Sequence, residues 1–239
     1  AQLLPPSFST YNNLTLNNAA GTTGFAGLTT LGLLRVQAGT FTSSSTYKDV
    51  QIDIGATLAA SSGSTINVSG NWTNNGTFTP NNGTVHFNGS LAQTIGGSST
   101  TTFNNLTINN SLGVSLGTDI AINATLTLQA GALAIGSRTL ILNNAILIAS
   151  GSFTSNANGT VNYNQSSNGQ SIASGNYGNL IFSNFQKTLP GSGIVKIAGT
   201  FTAGAGGGHT LTDSTVEFNG SSAQTLPANF TTYNNLTLN

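Results

Sequence analysis

Three short motifs recur along this chain in a fixed order, and a chain built from repeated strand units buries its core by stacking one copy on the next. The first family reads Tyr11-Asn-Asn-Leu-Thr-Leu-Asn-Asn18, Phe103-Asn-Asn-Leu-Thr-Ile-Asn-Asn110, Tyr177-Gly-Asn-Leu-Ile-Phe-Ser-Asn184 and Tyr233-Asn-Asn-Leu-Thr-Leu-Asn239. The second reads Gly83-Thr-Val-His-Phe-Asn-Gly-Ser90, Gly159-Thr-Val-Asn-Tyr-Asn-Gln-Ser166 and Ser214-Thr-Val-Glu-Phe-Asn-Gly-Ser221. The third is Gly39-Thr-Phe-Thr42, Gly76-Thr-Phe-Thr79, Gly151-Ser-Phe-Thr154 and Gly199-Thr-Phe-Thr202. The aromatic starts of the first family, Tyr11, Phe103, Tyr177 and Tyr233, draw closer along the chain, and each gap is shorter than the one before by roughly 18 residues. Loss of one coil per macro-repeat accounts for this, with a coil of roughly 18 to 19 residues. A single domain over 1–239 then contains three macro-repeats, about 11–102, 103–176 and 177–239. The third family fits less well: Gly39 to Gly76 and Gly76 to Gly151 approximate two and four coils, but the gap from Gly151 to Gly199 matches no whole number.

Within each coil the apolar period is two. Val85 and Phe87 flank His86, Leu14 and Leu16 flank Thr15, and Ile122, Ala124, Leu126 and Leu128 alternate with polar residues. That is strand periodicity. Gly, Asn and Ser punctuate the runs where turns need positive φ or side-chain hydrogen bonds. No window shows an amphipathic helical stripe. The expected fold is all-β, a parallel β-solenoid, with Asn and Thr stacked in ladders between coils. Roughly 13 coils at about 4.8 Å each give a rod on the order of 60 Å long.

Composition narrows the functional classes. Only 4% of residues are charged, and five positive and five negative side chains cancel. No basic field exists for nucleic acid or anionic lipid, and a neutral surface offers little resistance to self-association. There is no cysteine, so neither disulfides nor thiolate metal sites can hold the chain together. The longest apolar run, Leu140 to Ala149, is interrupted by Asn143 and Asn144 and is too short for a membrane helix. The start at Ala1-Gln2 fits removal of a secretory signal after a small residue, and equally loss of an initiator Met; together with the repeat content it makes a location outside the cell the expectation.

The succession Phe-Asn-Gly, then Ala92-Gln-Thr94 or Ala223-Gln-Thr225, then Asn-Asn-Leu-Thr-Ile-Asn-Asn, Gly113-Val-Ser-Leu116 and Ala124-Thr-Leu-Thr-Leu128, resembles bacterial surface-exported β-helical proteins of the adhesin and autotransporter-passenger kind. The resemblance covers nearly the whole chain. It implies a right-handed parallel β-helix on the cell exterior and little about any ligand.

Candidate chemical sites are few. Asp49 and Asp53, the one close acidic pair, would lie about 13 Å apart on one strand, beyond the spacing of glycosidase carboxylates, and read as a solvated strand face. His86, Asn162 and Glu217 occupy the same place between Val and the aromatic of the second family, so they read as equivalent outward positions. His209 follows Gly206, Gly207 and Gly208 in a loop, and no metal constellation accompanies it. No catalytic, cofactor or metal residues are expected. The ends carry the functional expectation. The chain finishes in the motif it starts with, and uncapped coils leave open strand edges. A homopolymer stacked head to tail is expected, its interface formed by Leu3, Leu4, Phe8, Tyr11, Leu14 and Leu16 at one end and Phe230, Tyr233, Leu236 and Leu238 at the other. Ala1 to Phe8 or Tyr233 to Asn239 could be exchanged by strand addition. Apolar Ile141 and Leu147 mark a possible lateral contact. The expected function is that of a structural subunit of an extracellular filament, without enzymatic activity. The alternative is a surface adhesin fragment that binds glycans or other cells by a lateral face.

Overall fold

A computed structural model describes all 239 residues, and the chain contains strands, turns and no helix. Every strand pairing is parallel, and the strands stack as a three-sided solenoid of about 12 turns. Turns climb from the N-terminal base to the C-terminal top, and each turn lays down a strand on the first, second and third side in order. The first side runs as five strands from Gln2–Leu3 to Thr77–Thr79, and resumes as six from Thr101–Phe103 to Phe201–Thr202. The second and third sides form one continuous sheet of 18 strands, because Thr29–Ala38 and Thr46–Ile52 run round the corner between them. The second side loses this sheet after Ala145–Ile148 and continues as the two-residue strands Gln170–Ser171 and Lys187–Thr188.

The solenoid agrees with the expected fold, but its turn is somewhat longer than the coil that the motif gaps suggest. Ladder partners on successive turns stand about 20 residues apart nearly everywhere. The shortest turn separates Leu34 from Val50, and the longest separates Trp72 from Ile95. The macro-repeats are therefore not whole numbers of turns. Leu-Thr-Leu at 14–16 lies on the third side, Leu-Thr-Ile at 106–108 on the second, Leu-Ile-Phe at 180–182 on the first, and Leu-Thr-Leu at 236–238 on the third again. Each step from one copy to the next ends two sides past a whole number of turns. The Val-x-aromatic motif rotates in the same way, at Val85 on the second side, Val161 on the first and Val216 on the third. The misfit between Gly151 and Gly199 has the same cause, since Phe153 lies on the third side and Phe201 on the first.

Alternation places one apolar row inside on every strand. The interior is a continuous cluster of 47 buried residues from Leu14 to Phe230, so the core is unbroken along the axis. Where the first-side sheet is interrupted, aromatic contact bridges the gap: Trp72 packs edge-on to Phe78 at 4.9 Å, and both lie 5.7 Å from Phe103. Outward residues stack in ladders, as in Asn123, Asn143 and Asn164, whose amides are joined by 2.9 Å bonds. Corners need close backbone approach. Gly131 has φ of +73°, and a Cβ there would run into the Asn110 carbonyl one turn below. Gly131→Ala should therefore lower stability by more than about 2 kcal/mol in urea unfolding. Gly63→Ala, with a similar φ but open space around it, should cost only about 1 kcal/mol.

Candidate functional site

The polar residues of the coil corners do two opposite jobs, and together they fix the polarity of the rod. In the first, an Asn or Asp oxygen accepts the backbone N–H of the turn above. Leu33 N–H donates to Asn13 Oδ1 at 2.7 Å, Asn71 to Asp49 at 2.7 Å, Thr94 to Asn71 at 2.9 Å and Ser98 to Asn75 at 2.9 Å. Thr125 donates to Asn105, Thr139 to Asp119, Gln186 to Asn168, Thr200 to Asn179 and Ala205 to Asn184, at 2.8 to 3.3 Å. In all nine the donor follows the acceptor by 18 to 23 residues. These clasps satisfy N–H groups at corners, where the strand ladder is interrupted.

In the second, a Gln reaches down. Gln93 Nε2 donates to the carbonyls of Val68, at 3.0 Å, and Gly70, while its Oε1 accepts the Gly89 N–H at 2.9 Å. Gln170 does the same with Leu142, Asn144 and Gln165, and Gln224 with Ile197, Gly199 and Gly220, all within 3.1 Å. Each Gln follows the Val-x-aromatic strand, so the three lie at the three different corners. The Ala-Gln-Thr wording at 92–94 and 223–225 marks two of them. Their role is not visible in sequence, because the carbonyls they bind lie 23 to 28 residues earlier in the chain.

Gln170 also anchors the most unusual side chain of the molecule. Lys187 has no exposed surface, and its Nζ donates to Gln170 Oε1 at 2.9 Å and Ser183 Oγ at 2.7 Å. Its backbone N–H donates to His209 Nδ1 at 3.0 Å. No carboxylate compensates the ammonium, and burial pulls its pKa down to about 8. Short Ser–Lys contacts occur in nucleophilic catalysis, but this one is closed to solvent and fills the space left where the second side shrinks to two-residue strands. Nearby, the Tyr177 hydroxyl donates to the Ala173 carbonyl at 2.6 Å, which leaves the Tyr163 hydroxyl to donate to Tyr177 at 2.8 Å. Burial raises both phenols, Tyr163 to about 12.

The acidic pair differs from its sequence reading. Asp49 lies at the corner inside the bent strand Thr46–Ile52, where it forms a clasp, and Asp53 follows that strand, ion-paired with Arg35 at 2.7 Å. They are engaged corner groups, not a free solvated face. The Arg35 guanidinium holds the Asp53 carboxyl below its usual pKa. His86, Asn162 and Glu217 do occupy equivalent outward positions, and Glu217 pairs with Lys196 at 3.3 Å. His209 is no free loop residue, since its ring lies 5.1 Å from that of Phe230. No group of three His, Asp or Glu side chains gathers anywhere in the structure.

The two ends are unequal. At the top, Asn235–Leu238 pairs only with Thr215–Phe218 beneath it. Leu236 and Leu238 continue the inward row of Val216 and Phe218, yet stand 39% and 65% exposed. Phe230 is buried against Phe201 at 5.0 Å and Tyr233 at 4.9 Å, so it plugs the interior under them. At the base, Leu14–Asn17 pairs only with the turn above it. Leu14 and Leu16 are nonetheless only 9% and 7% exposed, and Leu4 and Tyr11 of the same turn pack against the core. What this edge can offer a neighbour is backbone rather than inward side chains, with Leu3 and Phe8 exposed beside it. On the flank, Ile141 is half-buried on the first side, and Leu147 is 55% exposed on the second. Ile148, inward by register, is also exposed, because no full strand covers Ala145–Ile148 from above. Comparison with known proteins finds no match to this chain among family models, curated proteins or solved structures.

Removal of the buried Gln93 amide orphans three backbone groups. Gln93→Ala should cost roughly 3 kcal/mol in chemical unfolding, and Gln224→Ala, half-buried, should cost less. Lys187 gives a pH signature. Below pH 8 it is protonated in both states and the fold carries the full cost of burying the charge. Between about 8 and its ordinary value near 10.5 the unfolded chain holds more protons, so stability rises with pH. Above pH 10 the unfolded tyrosines ionise before the buried ones, and stability falls. The melting temperature should therefore peak near pH 10, and Lys187→Met should remove the rise while leaving the fall.

Proposed function

We propose that this chain is a structural subunit of an extracellular filament, stacking head to tail as a homopolymer and catalysing no reaction. The unbroken core along about 12 turns of parallel ladder, inside a surface with almost no charge, carries this reading. A solenoid of this kind grows by laying strand on strand along one axis, and a parallel strand edge accepts another strand. The neutral surface imposes no electrostatic barrier to such contacts. Turns hydrogen-bonded to one another along the whole axis suit a rod whose task is stiffness. The likeness of the repeat motifs to those of surface β-helical proteins supports a place outside the cell.

A second reading is an adhesin that binds glycans or other cells by a lateral face, and exposed Leu147 and Ile148 beside an uncovered strand favour it. Negative-stain microscopy of the purified chain separates the two. Filaments one solenoid wide should form at high concentration. Monodisperse short rods at every concentration tested would overturn the filament reading.

A further inference from the structure

Six Asn–Gly bonds lie in the turns of this chain, at 75–76, 82–83, 88–89, 158–159, 168–169 and 219–220. Asn is a thermolabile residue, and it is most at risk before Gly, where no Cβ shields the following backbone nitrogen from the Asn side chain. The reaction needs only water. The Gly nitrogen gives up its proton and attacks the Asn Cγ, the N–Cγ bond forms as the Cγ–Nδ2 bond breaks, and ammonia leaves with that proton. Water then opens the ring and leaves Asp or its backbone-lengthened isomer, so a carboxylate replaces an amide in the turn.

In the folded chain all six glycine N–H groups are already engaged. Gly76 donates to Asn74 Oδ1 at 3.1 Å, Gly83 to the Pro80 carbonyl at 2.7 Å, Gly159 to the Asn156 carbonyl at 3.0 Å and Gly169 to the Gln186 carbonyl at 2.9 Å. Gly89 donates to Gln93 Oε1 at 2.9 Å, and Gly220 to Gln224 Oε1 at 2.7 Å. A bonded nitrogen keeps its proton, and its peptide plane is turned toward the acceptor instead of the Asn side chain. The two glutamine cases involve the same side chains that staple the corners. Asn88 stands exposed just after Thr84–Phe87, its own N–H held by the Val68 carbonyl at 3.1 Å, and Gly89 is buried behind it. No larger residue can replace Gly89, because a Cβ there would run into the Ser69 carbonyl one turn below. The winding demands the fragile pair, and what remains is to immobilise it. The chain does so twice in nearly the same words, Asn88-Gly-Ser-Leu-Ala-Gln93 and Asn219-Gly-Ser-Ser-Ala-Gln224. In the third copy Gln165 stands where the others have Gly, and Gln170 Oε1 is shared between the Gln165 N–H and the Lys187 ammonium.

We infer that Gln93 and Gln224 guard Asn88 and Asn219 against self-deamidation as well as stapling the corners, and that Asn88 is the modification site opened when Gln93 is removed. The guard acts within neighbouring turns, whether or not rods assemble. Incubation of the folded chain at mildly alkaline pH, followed by proteolysis and mass spectrometry, reads each Asn separately by its exchange of amide for acid. All six should survive about tenfold longer, or more, in the folded chain than in urea. Gln93→Leu should raise the rate at Asn88 about tenfold, as expected for release of one hydrogen bond to the nitrogen, and leave Asn158 at the parent rate. Gln93→Glu keeps the acceptor and loses both staple donors, so Asn88 should stay at the parent rate although stability falls. Should Gln93→Leu fail to fold, Gln224→Leu, at a half-buried position, gives the same reading at Asn219. Equal acceleration at all six sites would show a loosened fold instead of a guard. No acceleration at Asn88 would show an idle hydrogen bond, and equal rates in Gln93→Leu and Gln93→Glu would assign the protection to the staple amide. Each of these results overturns the inference.

Discussion

Every peptide group on a strand of this molecule points along the rod axis, so each turn is satisfied only by the turns above and below it. That single constraint organises the rest. Along the flat sides the ladder meets it without help from side chains. At the corners the backbone swings out of register, and there the sequence supplies substitutes: Asn and Asp oxygens for missing carbonyls, Gln amides for missing N–H groups. The high Asn content is thus largely a corner inventory, and the scarcity of charge follows from the same design. A neutral amide can give and accept in a narrow gap where an ion would cost desolvation. Asp49 and Asp119 form clasps as partly exposed carboxylates, and Lys187, the fully buried charge, is tolerated with two neutral acceptors and a lowered pKa.

The clasps and staples are also directional. An oxygen reaches for the turn above and an amide nitrogen for the turn below, at all three corners. The rod therefore has two chemically different ends even where its sequence repeats. A proposed filament built from such a rod is polar, and its copies meet top to base rather than top to top.

The strands are legible in the sequence because their signal is local. Val85 and Phe87 lie immediately on either side of His86, and the period of two survives any change of turn length. Turn length itself is misread slightly, since the differences between repeats report lost turns while individual turns vary, from the short one between Leu34 and Val50 to the long one between Trp72 and Ile95. The placing of a motif on a side is not legible at all, for a strand inside a triangular tube reads the same on any of its walls. The corner chemistry is hidden for a related reason. Gln93 acts on Val68 and Gly70, and Lys187 sits between Gln170 and Ser183, through contacts set by the winding rather than by neighbours in the chain. Leu14 and Leu16 are buried in the first turn, where Leu4 and Tyr11 also pack against the core, and no pattern of period two announces that closure.

The migration of one motif across all three walls has a genetic corollary. Because the walls accept the same strand, a duplicated segment needs to match only a third of a revolution to be accommodated, not a full revolution. Growth of such a gene by unequal crossover then has three times as many permissible break points as a solenoid with specialised walls, and the length of its product can be tuned in correspondingly finer steps.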